Sequence, residues 1–106
     1  MTRALINVPA KAQRAEVIEI KTLISHPMET GYRRDNFGNL IPRDIISRFA
    51  CTYNGVEVFR ADFFPAMAAN PFLSFFTVAT ESGTIDFQWT DDHGITQTAS
   101  ASIEVE

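Results

Sequence analysis

The sequence predicts an all-β domain: an antiparallel two-sheet sandwich of about seven strands. Three observations predict it. Apolar residues recur with period two in segment after segment, giving each segment one apolar and one polar face. Turn chemistry falls between those segments, at Asn54-Gly55, Ser82-Gly83 and Asp91-Asp92-His93-Gly94. No window shows the 3.6-residue apolar spacing of an amphipathic helix.

Residues 1–15 read as an N-terminal tail or weak edge strand, and residues 16–106 as one domain. From Glu16 onward Ile18, Ile20 and Ile24 share a strand face, with Glu19 and Lys21 on the other. Ser25 to Pro42 is irregular and rich in turn residues, so a loop with a small hairpin is expected there. Asp44 to Tyr53 is the next strand, with Ile45, Phe49, Cys51 and Tyr53 opposed by Arg48 and Thr52. Asn54-Gly55 fits a type I′ hairpin turn, because both central residues need positive φ. The return strand, Val56 to Phe64, sets Phe59, Ala61 and Phe63 against Arg60 and Asp62. Pro65 ends it, since proline cannot donate to a ladder. A loop follows, with room for a helical turn over residues 66–69 before Asn70-Pro71 stops it.

Phe72 to Thr80 carries rings on both faces, Phe75 and Phe76. Ile85, Phe87 and Trp89 alternate with Asp86 and Gln88 and are expected to point inward, because burying the polar set unpaired would cost ~1–3 kcal/mol each. The last strand alternates Ile95, Ala99, Ala101, Ile103 and Val105 with Thr96, Thr98, Ser100, Ser102 and Glu104. The architecture is immunoglobulin-like, without the cysteine pair around a tryptophan that marks antibody domains.

Composition narrows the function. Among 106 residues, 45% are hydrophobic and nine are Phe, enough for a packed core. The single cysteine, Cys51, allows no internal disulfide. The net charge is −4 and the only dibasic pair is Arg33-Arg34. Nucleic acid binding needs a positive surface that this composition does not supply. No apolar run reaches the ~18 residues of a membrane span, and the first residues show no apolar secretory core. On composition alone the expectation is cytoplasmic.

Cys51 can be read as a sulfur nucleophile or as a small buried hydrophobe in mid-strand; no basic neighbour in sequence lowers its pKa, which favours the second reading. One Cys, two His and three Met raise the question of a blue-copper site. The spacing opposes it, since no Met follows His93. Zinc is opposed too, because His26 and His93 lie far apart in the chain and no thiolate pair exists. No phosphate cradle or nucleophile elbow is present. The expectation is therefore no catalytic residues, no metal ligands and no cofactor.

Several long segments resemble one known family. Val17-Ile18-Glu19-Ile20-Lys21-Thr22-Leu23-Ile24-Ser25-His26-Pro27-Met28-Glu29-Thr30-Gly31, then Arg33-Arg34-Asp35, Ile41-Pro42-Arg43-Asp44-Ile45-Ile46, Ala69-Asn70-Pro71-Phe72-Leu73-Ser74-Phe75 and Phe87-Gln88-Trp89-Thr90-Asp91 are similar to the SoxZ family. That family is the Z subunit of the SoxYZ carrier of thiosulfate oxidation. The resemblance implies an Ig-like sandwich without its own catalytic site, bound to a SoxY subunit as a heterodimer. It also implies that sulfur intermediates ride on a C-terminal cysteine of SoxY. The ending Ile103-Glu104-Val105-Glu106 has no Gly-Gly-Cys-type tail, as expected of Z and not Y. Transient contacts with other Sox enzymes and a periplasmic location by co-export with SoxY are further implications.

Two loops are the candidate partner interface. One is the apolar loop holding Met67, Asn70 and Phe72, where aromatic and Met side chains suit an interface core. The other holds His26, Met28, Glu29, Arg33 and Arg34, whose hydrogen-bonding and cationic groups suit an anionic sulfur adduct.

Overall fold

The computed structural model describes residues 3–65, 67 and 69–106 and is entirely β among them. Eight strands occur in order: β1 Ala4–Asn7, β2 Lys11–Ala12, β3 Val17–Ile24, β4 Ile46–Tyr53, β5 Val56–Asp62, β6 Phe72–Val78, β7 Gly83–Asp91 and β8 Thr96–Val105. They form two sheets, one of three strands ordered β1-β3-β6 and one of five ordered β2-β8-β7-β4-β5. All pairings are antiparallel except β2 with β8, where Lys11 and Ala12 run parallel to Glu104 and Val105. The N-terminal stretch therefore passes from one sheet to the other. No helix among the described residues is long and apolar enough to cross a membrane.

The strands follow the sequence pattern closely. In β7 Ile85, Phe87 and Trp89 are all buried, and Asp86 and Gln88 point to solvent. The hairpin turn at Asn54 and Gly55 has φ of 49° and 83°, as the Asn-Gly pair requires. The same Asn54 side chain accepts the Thr84 N–H at 2.9 Å. A Cβ at residue 83 would lie 1.8 Å from it, so Gly83 is what lets the two turns meet.

Two irregularities change the simple alternation. Ile46 faces Asp91 while Arg48 faces Thr90, so a bulge at Ser47 turns Ile46 inward beside Ile45, and both are buried. Cys51 faces Phe59 while Thr52 faces Glu57, which leaves Val58 as the extra residue and half-buries both Val58 and Phe59. One expectation fails. Ile95 is exposed and not on the inward face. The turn still holds it, because its N–H donates to Asp91 Oδ1 and its carbonyl accepts the Asp91 N–H. The inward alternation starts only at Gln97. The helical turn expected over residues 66–69 falls partly on Ala66 and Ala68, which lie outside the described residues.

Phe49 sits at the middle of the core. Its ring centroid lies 5.3 Å from Trp89, 6.0 Å from Phe75 and 6.2 Å from both Phe59 and Phe87. Phe75 comes from the three-stranded sheet and stacks on Phe59 at 4.3 Å, so this aromatic group joins the two sheets. Tyr53 closes the core at one end, its hydroxyl donating to the Glu81 carbonyl.

Candidate functional site

The outer faces of the two sheets differ in kind. On the five-stranded sheet the outward rows are polar: Thr52, Asp86 and Ser100 lie in one row, and Ala50, Gln88 and Thr98 in the next. On the three-stranded sheet the pairing Leu5↔Leu23↔Phe72 sets an apolar row across all three strands. Leu5 and Phe72 are 58% and 57% exposed. A polar row, Asn7↔Lys21↔Ser74, and Glu19 separate it from a second exposed apolar group, Phe76, Val17 and Val78, farther along the same face. Of the adjacent rings Phe75 and Phe76 on β6, then, Phe75 enters the core and Phe76 stays in solvent with Phe72.

The two candidate loops meet at one edge of this face. The His26 backbone N–H donates to Asn70 Oδ1 at 2.8 Å, and the Asn70 N–H donates to the His26 carbonyl at 2.7 Å. Asn70 adopts φ 54°, a left-handed conformation that Asn tolerates better than most residues. The pair latches segments that are far apart in the chain into one surface. Within it Phe72, Asn70, Arg33 and Arg34 are exposed, Glu29 and Met67 half-buried, and His26 and Met28 buried. Met28 instead supports the loop from inside, with Sδ accepting the Ile46 N–H at 3.2 Å and its own N–H donating to His26 Nδ1 at 3.0 Å.

The two arginines are unequal. Arg33 Nη2 donates to Glu29 Oε1 at 2.6 Å. This hydrogen bond holds the Glu29 carboxyl below its usual range and raises Arg33. Arg34 Nη1 donates to the Gly38 carbonyl at 2.7 Å, inside the small hairpin formed by the Glu29↔Asp44 and Arg34↔Leu40 bridges. Tyr32 and Phe37 protrude from that hairpin, 80% and 89% exposed, a feature the sequence reading did not single out.

Cys51 is buried on β4 between Phe59 of β5 and Phe87 of β7. Burial, with a smaller contribution from the Asp86 carboxylate, pushes its thiol up to about 12. Below that pH the sulfur stays protonated, so almost no thiolate exists at neutral pH. The expected result is that an aromatic disulfide reagent leaves Cys51 unmodified in the native chain and modifies it fully after unfolding. Rapid native labelling would reopen the nucleophile reading.

A third group of side chains escapes sequence reasoning. His26 follows β3, Asp44 precedes β4, and Asp91 and His93 stand at the β7–β8 turn; antiparallel pairing brings these ends to one end of the sandwich. His26 Nε2 lies 3.9 Å and His93 Nε2 3.6 Å from the same atom, Asp44 Oδ1. That oxygen is buried and, among the described residues, has no hydrogen-bond partner. Beside it Arg43 binds Asp92 through two 2.8 Å hydrogen bonds, which hold the Asp92 carboxyl below its usual range.

Comparison with known proteins follows the fold. A family model described as sulphur oxidation protein SoxZ matches residues 6–102. No curated protein matches the sequence. Among solved structures, a superoxide reductase (neelaredoxin) from Ignicoccus hospitalis is similar at TM-score 0.77 and 19% identity, covering 99% of this chain and 82% of that one. The sulfur carrier protein SoxY from Chlorobium limicola f thiosulfatophilum is similar at TM-score 0.66 and 14% identity, covering 97% and 78%. At these identities the structural likenesses establish the sandwich fold.

Proposed function

The chain belongs to the SoxZ family of sulphur oxidation proteins, and from that premise we propose that it is the non-catalytic subunit of a SoxYZ heterodimer. In this reading SoxY carries sulfur intermediates of thiosulfate oxidation on its C-terminal cysteine. The present chain supplies a rigid sandwich that binds SoxY and takes part in its transient contacts with other Sox enzymes. The pair works in the periplasm, reached by co-export with SoxY.

The observation that carries the proposal is the family match over residues 6–102. Two features of the chain support it. Its one thiol is buried and held protonated, so it is poorly equipped to carry sulfur itself. Its three-stranded sheet leaves the Leu5–Leu23–Phe72 row in solvent, and clustered exposed apolar side chains mark interaction sites. The partner surface comprises the Leu5–Leu23–Phe72 row, Met67 and Asn70 beside it, and Glu29, Arg33 and Arg34 at its edge. His26 and Met28 act from within, by shaping that edge.

The competing reading is a small thiol or metal redox protein, or a free-standing ligand-binding sandwich, that needs no partner. Co-expression with a SoxY-type protein from the same source decides between them. The expected result is co-purification as a complex with one copy of each chain, seen by native mass spectrometry, with thiosulfate-derived sulfur found on SoxY after turnover. Separate elution of the two proteins, or sulfur found on Cys51, would overturn the proposal.

A further inference from the structure

We propose that His26, Asp44, Asp91 and His93 form a binding site for one borderline divalent cation of the zinc type. Three independent observations carry it. The first is convergence: ligand atoms of His26, Asp44 and Asp91 all lie within 4.8 Å of one another. His93 Nε2 stands outside that mutual group but only 3.6 Å from Asp44 Oδ1, so its exposed ring would swing in as the fourth ligand. The second is the orphaned acceptor. Asp44 Oδ1 is screened from solvent with no donor among the described residues, and a cation would satisfy it. The third is His26, a side chain more than nine-tenths buried, whose Nε2 stands 3.9 Å from that oxygen, beyond hydrogen-bond reach.

The donor set suits such an ion. Two imidazoles and two carboxylates give a mixed nitrogen–oxygen set, typical of zinc and its neighbours and not of calcium or magnesium. The two carboxylate charges balance a divalent ion, and the guanidinium of Arg43, next to Asp44 in the chain, is already bound to Asp92. Asp91 holds the turn through Oδ1 alone, which accepts the His93 and Ile95 N–H groups at 2.9 Å, so its other oxygen is available for the ion. With ligand bonds of 2.0–2.1 Å, a tetrahedral site sets neighbouring ligand atoms about 3.3 Å apart. The 3.6 and 3.9 Å from the two histidines to Asp44 exceed this by about half an ångström, and the other separations, up to 4.8 Å within the His26–Asp44–Asp91 group, close by further side-chain rotation on binding.

One feature of the chain opposes the ion and makes the proposal sharply testable. His26 Nδ1 accepts the Met28 N–H, so the neutral ring carries its proton on Nε2, where the ion would sit. Binding must move that proton to Nδ1 and break the Met28 hydrogen bond. The affinity is therefore lower than the donor set alone would give, and occupancy leaves a local mark. The site would tie the end of β3, the start of β4 and the β7–β8 turn together at the base of the hairpin.

The experiment is a zinc titration of the full chain at neutral pH, followed by calorimetry and by nitrogen–proton NMR of the histidine rings and the Met28 amide. The expected result is one bound equivalent, with the His26 proton moving to Nδ1 and a large shift of the Met28 amide. Asp44→Asn and His93→Gln, checked for native melting without metal, should each weaken binding at least tenfold, by analogy with the ~10–100-fold losses seen on removing metal-supporting groups. Failure to bind a single equivalent would overturn the proposal. So would binding that neither substitution weakens, or a His26 ring that keeps its proton on Nε2. None of these outcomes bears on pairing with SoxY.

Discussion

Replacing Phe49 by alanine is expected to destabilise the chain by ~3–5 kcal/mol, the range for removing a fully buried ring. Phe49 touches four other aromatic rings, and one of them, Phe75, belongs to the opposite sheet. Its removal leaves a cavity where the sheets are joined, and neither sheet can move in without disturbing the Phe59–Phe75 stack. A domain of this size has only ~5–15 kcal/mol of stability in total, so one substitution consumes a large part of it. Urea denaturation followed by tryptophan fluorescence measures the effect, with Trp89 as the chain's single reporter. A midpoint close to wild type would mean that the ring is not the centre of the core. Phe76→Ala, on the exposed side of β6, is the matched control and should change stability little.

The second large effect concerns the partner. Phe72→Asp should weaken SoxY binding by at least about 30-fold, corresponding to the ~2 kcal/mol or more of an interface hot spot. Phe72 stands at the end of an apolar row that spans the three-stranded sheet, next to the His26–Asn70 latch. A carboxylate there would have to be desolvated on binding, and because the side chain is exposed the fold should survive. Thr98→Asp, on the polar face of the other sheet, should leave binding within about threefold of wild type, as surface changes away from a contact usually do. The opposite outcome, loss with Thr98→Asp and none with Phe72→Asp, would move the interface to the five-stranded sheet.

What could be read from the sequence depended on the length scale of its cause. The inward set Ile85, Phe87 and Trp89 was legible because alternation is local and the polar residues between leave one solution. The Asn54-Gly55 turn was legible because its chemistry is confined to two residues. The inward turn of Ile46 was not, since it depends on a bulge set by pairing with β7. Ile95 shows the same limit from the other side: its parity fits the last strand, but the Asp91 carboxylate holds it in the turn. The loop residues His26 and Asn70 could be singled out, but their mutual latch could not, because nothing local couples them. The convergence of His26 and His93 on Asp44 was hidden for the same reason. Sequence distance made the histidines look unrelated, although both stand at strand ends that antiparallel pairing brings together.

The row Leu5–Leu23–Phe72 is assembled from three segments, and no continuous stretch of the chain contains it. The β4–β5 and β7–β8 hairpins close short loops, whereas pairing β3 with β6 must close nearly half the chain and pays a larger entropy. The hairpins are therefore expected to protect their amides early in refolding, with β3 and β6 following, an order that pulsed hydrogen exchange would read directly. An unfinished molecule would lack the row altogether. If SoxY docks on it, recognition doubles as quality control: only a copy that has completed its long-range pairing is selected, and a peptide cut from any one segment cannot compete.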